Sequence, residues 1–309
     1  MKRILGIGGV TTDQIGVVDH IPGSDEVIRL QEYRVEQGGM VATALVAAAR
    51  LGAEVEFLGA VGNDANGRLA LDRFAVEGVA TTGVQTLPGG ISAFSFILVE
   101  SHSGKRTIVH EPGVQRNRSL EIPRGDAKAL LVGVGYLHLD GFWMDTAIEL
   151  AREAKGLGIT ITLDIGQNQR DPKIETLLRL ADYVIPSLPF ARRFTKSDRV
   201  EQAAKMLLDY GAGAVIQTLG ERGAFIMVKD GQSFTVPSFP VRVVDTTGAG
   251  DGFHGGFVYA LSRGYALREA VIFASAVAAL KCTKLGGQSG LPSFKQVQGF
   301  LSERGILLP

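Results

Sequence analysis

A single cysteine, Cys282, is all that 309 residues contain. It cannot support an internal disulfide framework or a cysteine-built zinc site. Net charge is missing as well, since 32 Lys and Arg residues offset 32 Asp and Glu residues. Without a broad positive field, neither nucleic acid nor an anionic membrane surface is an expected partner. No stretch of 18 or more apolar residues occurs, so no helix is expected to span a membrane. The chain opens Met1-Lys2-Arg3 and passes into a short apolar run without signal-peptide architecture, which predicts a cytoplasmic protein. Glycine, by contrast, is abundant. Its 40 residues are about 13% of the chain, against about 7% in an average protein. Glycine loses the most conformational entropy on folding, so this excess points to tight turns and to backbone set close to ligands. A hydrophobic content of 45% and a charged content of 21% suit a globular enzyme-sized protein with a large core.

The pattern along the chain is that of an α/β protein. Residues 4–10 read as a buried strand, residues 39–50 as a helix rich in alanine, residues 55–61 as a second strand and residues 67–77 as a second helix. Strands at 136–139, 159–163, 183–185 and 214–217 alternate with helices at 145–157 and 200–210. Such alternation implies parallel pairing through right-handed crossovers. Two β-hairpins interrupt it, at 91–110 and 225–236, and the last third is helical over 251–261, 267–282 and 294–303. One domain over 1–309 is expected, with a small β excursion drawn from parts of 11–37 and 91–111.

The densest chemical signal is Asp245-Thr246-Thr247-Gly248-Ala249-Gly250-Asp251. A β-branched run ends in a Thr/Gly turn that leaves backbone N–H groups bare at a helix start, where orphan donors and the helix dipole favour an anion. Asp251 follows the bare turn, so it can sit beside a bound anion. That arrangement suits phosphoryl transfer: the amides stabilise charge on the moving group, and the carboxylate takes the proton of an attacking hydroxyl. The competing reading is an ordinary helix cap with a tight glycine turn. His254 shares a helix face with Asp251 and is read as a packing or orienting residue. Competing enzyme classes fail on their motifs. Gly6-Ile7-Gly8 is followed by Thr11 where a dinucleotide fingerprint needs its third glycine, and neither a Walker loop nor a Gly-x-Ser-x-Gly elbow occurs.

The 245–251 segment resembles the C-terminal signature of the PfkB, or ribokinase-like, carbohydrate kinases. Gly38-Gly39, Ala42, Ala44, Arg50-Leu51-Gly52, Gly59, Val61-Gly62-Asn63-Asp64 and Gly67 resemble the N-terminal motif of the same family. The resemblance spans residues 4 to about 300. It implies a three-layer α/β sandwich with a mostly parallel central sheet and a small β lid. It also implies an ATP-dependent sugar kinase, with Asp251 as catalytic base and Gly248, Ala249 and Gly250 as the anion hole. Asp13, Gly38, Gly39, Thr43 and His110 fall at sugar-side positions. Thr218, Gly220, Gly223, Ser275 and Gly287 fall at ATP-side positions. Asp245, Thr247, Gly286 and Gly290 match where some members hold a monovalent cation, K+. A pairing of lids implies a homodimer.

Two departures bear on the substrate. Many members carry Asn-x-x-Glu, linked to Mg2+ and phosphate, where this chain has Ser187-Leu188-Pro189-Phe190. Mg2+ is still expected, because the charge of ATP must be neutralised, and Asp164 acting through waters is its candidate. Ribokinases place Asn where this chain has Thr43, which disfavours ribose. The missing motif and the run 278–283 are similar to the ketohexokinase branch and suggest a ketose. Stretches around 41–52 and 243–260 resemble sulfofructose kinases, but His110 and Asp140-Gly141 stand where a sulfonate would bind. A nucleoside is a further alternative. So is a non-catalytic sensor on the same fold, although a pure binder has no need of Asp251 as a base.

Overall fold

Ile4 and Leu5 are both buried, yet they enter different hydrophobic clusters, because successive side chains of a strand point to opposite faces. Ile185 parts from Val184, and Ile216 from Val215, in the same way. A sheet covered on both faces therefore crosses the molecule. The computed structural model describes residues 2–122, 126–167 and 169–309. The strands are β1 (Arg3–Ile7), β2 (Thr11–Val18), β3 (Glu32–Gly38), β4 (Val55–Leu58), β5 (Ala60–Gly62), β6 (Gln85–Leu87), β7 (Phe94–Glu100), β8 (Arg106–Glu111), β9 (Val134–Leu139), β10 (Thr160–Ile165), β11 (Tyr183–Pro186), β12 (Ala214–Thr218), β13 (Ala224–Val228) and β14 (Ser233–Val236). The helices are α1 (Met40–Arg50), α2 (Ala65–Val76), α3 (Ala127–Leu130), α4 (Met144–Gly156), α5 (Ile174–Leu180), α6 (Leu188–Thr195), α7 (Val200–Leu208), α8 (Ala249–Ser262), α9 (Leu267–Lys281) and α10 (Phe294–Ser302).

The central sheet runs β14-β13-β12-β11-β10-β9-β1-β4. All its pairings are parallel except those of β13 with β12 and with β14. Helices α1, α2, α8, α9 and α10 bury their apolar sides against one face, and α3 to α7 cover the other. The chain steps outward from β1 to β4 on one side and to β9 on the other, and such a switch in strand order opens a crevice at the carboxyl ends of the strands. Over that crevice lies a second sheet, β3-β2-β7-β8, built from the β excursion read in the sequence. No helix among the described residues is long and apolar enough to cross a membrane.

Several boundaries differ from the sequence reading. The first strand stops at Ile7 instead of continuing to residue 10, because the Asp140 carboxylate draws the Gly9 amide to itself at 3.0 Å and turns the chain out of the sheet. Residues 55–61 form two strands, not one: β4 stays in the central sheet while β5 pairs with β6. Helix α8 starts two residues before Asp251. Helix α6 is new. Ser187 caps it, accepting from the Phe190 amide at 3.4 Å, and Pro189 occupies its first turn. The segment lacking the Asn-x-x-Glu side chains is thus built as a helix start.

Candidate active site

Gly248 precedes α8 with φ +74, and a side chain there would strike the carbonyl of Gly287. Only glycine adopts that turn without strain. No side chain caps the helix; the Ala249 amide closes the turn onto the Thr246 carbonyl at 3.2 Å, and the neighbouring amides of the helix start are left for a ligand, with the positive end of the dipole behind them. Asp251 lies in this first turn, partly buried, and reaches a cavity of about 520 Å³. The cavity sits at the carboxyl ends of β1, β9 and β10, where Gly9, Asp140 and Gly166 line it.

The second sheet supplies the opposite wall. Its register aligns Asp13 with Ser95, and Ser95 with His110, and the period of two turns all three toward the cavity. Ser95 Oγ lies 3.2 Å from His110 Nδ1, and the Thr11 hydroxyl donates to Asp13 Oδ1 at 3.0 Å. A side chain at Gly38 would collide with the Asp13 carboxylate, so the glycine makes room for the acid. Arg106, on β8, reaches across and donates from Nη1 to Thr246 Oγ1 at 2.6 Å.

Buried carboxylates crowd this site. Burial pushes Asp251 up to about 7; the Arg106 guanidinium opposes the rise, and the Asp140 and Asp13 carboxylates add to it. Asp140 rises to about 6 through burial, against the amides of Gly9, Phe142 and Val41 that donate to it. Asp13 also rises to about 6, mainly through burial. Asp164, near the end of β10, is raised well above the usual range by burial and by the Asp251 carboxylate. Its Oδ1 lies 3.3 Å from His254 Nε2. Burial holds the neighbouring imidazoles neutral, His138 near 4 and His254 well below its ordinary value, so they add no charge. A base near neutrality beside an uncapped helix end can accept a hydroxyl proton at physiological pH while an anion rests on the amides.

The structure brings Asp13, Gly39, His110, Thr247, Gly248 and Asp251 to one cavity. Ala249 and Gly250 open α8 beside it. Thr43 lies elsewhere. It is fully buried one turn below Gly39, and its hydroxyl is 3.4 Å from Gln288 Nε2, so the sugar-side expectation for it is corrected. Thr218 ends β12, and Gly220 and Gly223 take φ +62 and +86 in the following turn. Ser275 turns its hydroxyl back onto the Val271 carbonyl at 2.8 Å. Asp245, Gly286 and Gly290 lie behind the anion turn, where Asp245 accepts from the Gly286 amide at 2.8 Å.

Three residues escaped the sequence reading as functional candidates. In the sequence Asp140 stands out only as an acid where a sulfonate would bind, and Arg106 lies in an ordinary hairpin. Lys281 has the sequence context of an ordinary basic residue at a helix end, whereas its side chain is fully buried. No spacing rule marks any of them.

Known proteins share this fold. The pfkB family carbohydrate kinase pattern matches residues 1–293. A ribokinase of Haemophilus influenzae is 32% identical over 306 residues, covering 97% of this chain and 98% of its own length. An ATP-dependent ribose-1-phosphate kinase of Halopiger xanaduensis is 30% identical, with 98% and 99% covered. The crystal structure of a ribokinase from Thermotoga maritima superposes with a TM-score of 0.84 at 29% identity, covering 98% of this chain and 100% of that one. These relatives lend no support to a ketose or to a place in the ketohexokinase branch. The chain belongs to the pfkB family of carbohydrate kinases, and it has the ribokinase-like fold of that family.

Proposed function

We propose that this kinase transfers the γ-phosphate of ATP to a hydroxyl of ribose or a closely related pentose, with Asp251 as the base. The observation that carries the reading is the Asp251 carboxylate, raised to about 7, in the first turn of a helix whose amides carry no cap. Asp251 takes the proton of the attacking hydroxyl. The amides of Gly248, Ala249 and Gly250 receive the transferred phosphoryl group, each such donor being worth about 3–4 kcal/mol of barrier. Asp13 and Asp140 accept hydrogen bonds from the remaining sugar hydroxyls. Thr218, Gly220, Gly223, Ser275 and Gly287 lie along the nucleotide side. The β3-β2-β7-β8 sheet acts as a lid that excludes water from the transfer.

Mg2+ fits a site rich in hard oxygen donors. Asp164, near the end of β10, is the carboxylate that would hold it through waters, and when bound it would neutralise polyphosphate charge. A need for ATP supports a cytoplasmic location. Ribose gains support from the relatives, although Thr43 replaces the Asn of the ribokinase motif. A phosphorylated pentose is the second reading, favoured by Arg106, Arg116 and Arg118 on the cavity wall. Two of these charges are already paired, Arg116 with Glu111 at 2.8 Å and Arg118 with Asp171 at 2.5 Å, so the neutral sugar is preferred. An ADP-release assay over aldopentoses, pentose phosphates, nucleosides and ketohexoses tests the assignment. Highest kcat/KM on an aldopentose supports it; preference for a ketohexose, or no turnover on any acceptor, overturns it.

A further inference from the structure

Lys281 ends α9, and none of its side chain is exposed. Its ammonium donates to the main-chain carbonyl of Asp245 at 2.8 Å and lies 3.9 Å from Asp245 Oδ2. The same Oδ2 accepts from the Gly286 amide at 2.8 Å. Oδ1 accepts from the Thr247 amide at 2.8 Å and the Thr247 hydroxyl at 2.7 Å. Gly290 packs against the Lys281 carbonyl so closely that no side chain would fit there. These are the residues at which the family resemblance implies a monovalent cation, and the chain brings a positive charge of its own to them.

Burying an ammonium is unfavourable by several kcal/mol unless it is paired, so this lysine needs a compensating role. Asp245 supplies one. It begins the turn that leads to Gly248, and every acceptor atom tied to Lys281, Thr247 and Gly286 belongs to it. Fixing Asp245 therefore fixes the start of the turn that lines the cavity at Thr247 and Gly248. The positive charge also reaches Asp251, where it opposes the upward push of burial.

We propose that Lys281 is the resident cation of this site: a positioning residue whose ammonium holds Asp245 and the anion turn in place and does the work of a bound monovalent cation. The inference rests on the phosphoryl-transfer reading and goes beyond it. Wild-type turnover and melting temperature are expected to be the same in sodium, potassium, ammonium or choline chloride at equal ionic strength. Lys281→Ala should lower kcat by about 10²-fold, as when site geometry slips, and should melt at a lower temperature. Both losses should be partly restored by potassium, ammonium or methylammonium chloride and not by choline, because only a small cation enters the space vacated. Lys281→Met, which fills that space without charge, should lose activity and show no rescue. A merely structural lysine would not give this cation-selective recovery.

The proposal is overturned if wild-type turnover or melting depends strongly on potassium, if Lys281→Met keeps full kcat, or if choline rescues Lys281→Ala as well as potassium does. Should Lys281→Ala not fold, the cation response of the wild type and the activity of Lys281→Met decide. Absence of wild-type turnover on every acceptor would defeat the kinase reading. The cation response of the two melting temperatures would still decide the role of Lys281.

Discussion

Arg106 Nη1 donates to Thr246 Oγ1 at 2.6 Å, joining the small sheet to the turn that opens α8. The two residues are far apart in the chain, and their contact sets one wall of the cavity against the other. Arg106 also lowers the pKa of Asp251. Arg106→Ala is therefore expected to raise KM for ATP, lower kcat, and move the acid limb of the pH profile upward. Its effect on stability should be under about 1 kcal/mol, since the pair is exposed. Steady-state kinetics across pH together with thermal melting check this; an unmoved acid limb would count against it.

The raised Asp251 carboxyl predicts a pH dependence of definite sign. The base must be unprotonated, so kcat/KM should fall as pH drops below about 7. Stability runs the other way. A carboxyl whose folded pKa exceeds its ordinary 3.8 favours the folded state at low pH, and that contribution is lost as pH rises from near 4 to near 7. Melting of Asp251→Asn relative to wild type should accordingly rise with pH over this window, at about 2–4 °C per kcal/mol for a chain of this order of size. A constant difference between the two proteins would contradict the assigned shift.

Asp13 should set affinity for the acceptor more than the rate of transfer. Asp13→Ala removes a charged hydrogen-bond acceptor worth about 1.5–3 kcal/mol, so KM for the sugar should rise by about 10- to 100-fold with a smaller change in kcat. Initial-rate kinetics at saturating ATP measure both. An unchanged KM would remove Asp13 from the sugar side.

The outer face of the small sheet bears on assembly. Val35, Phe96 and Val109 are exposed at 44, 50 and 65%, and register aligns them in one row through Gln14. An apolar row on a sheet of this kind invites a partner, and the same sheet of a second copy is the expected one. Light scattering should return twice 32.9 kDa, and Phe96→Lys should return a monomer. A wild-type mass of 32.9 kDa at micromolar concentration would refute the pairing.

Much of the architecture was legible because it rests on local periodicity. Alternating strands and helices announced the parallel sheet, and the 91–110 hairpin announced half of the second one. The 245–251 segment was legible because a bare glycine turn followed by an acid leaves few chemical uses. What remained hidden depended on tertiary contact. Asp140 stops β1 only because folding sets it against the Gly9 amide. Lys281 has the sequence context of any basic residue at a helix end, and only the packing of α9 against the Asp245 turn buries it. Thr43 shows the converse, for its motif position suggested the sugar while α1 carries it into the core.

The central claim is that Asp251 frees the attacking hydroxyl, and the kcat of Asp251→Asn on the preferred sugar, at saturating ATP and pH 8, tests it most directly. The account predicts a fall of at least about 10²-fold in a variant that still melts cooperatively and still binds ATP. A kcat within a few-fold of wild type would contradict it.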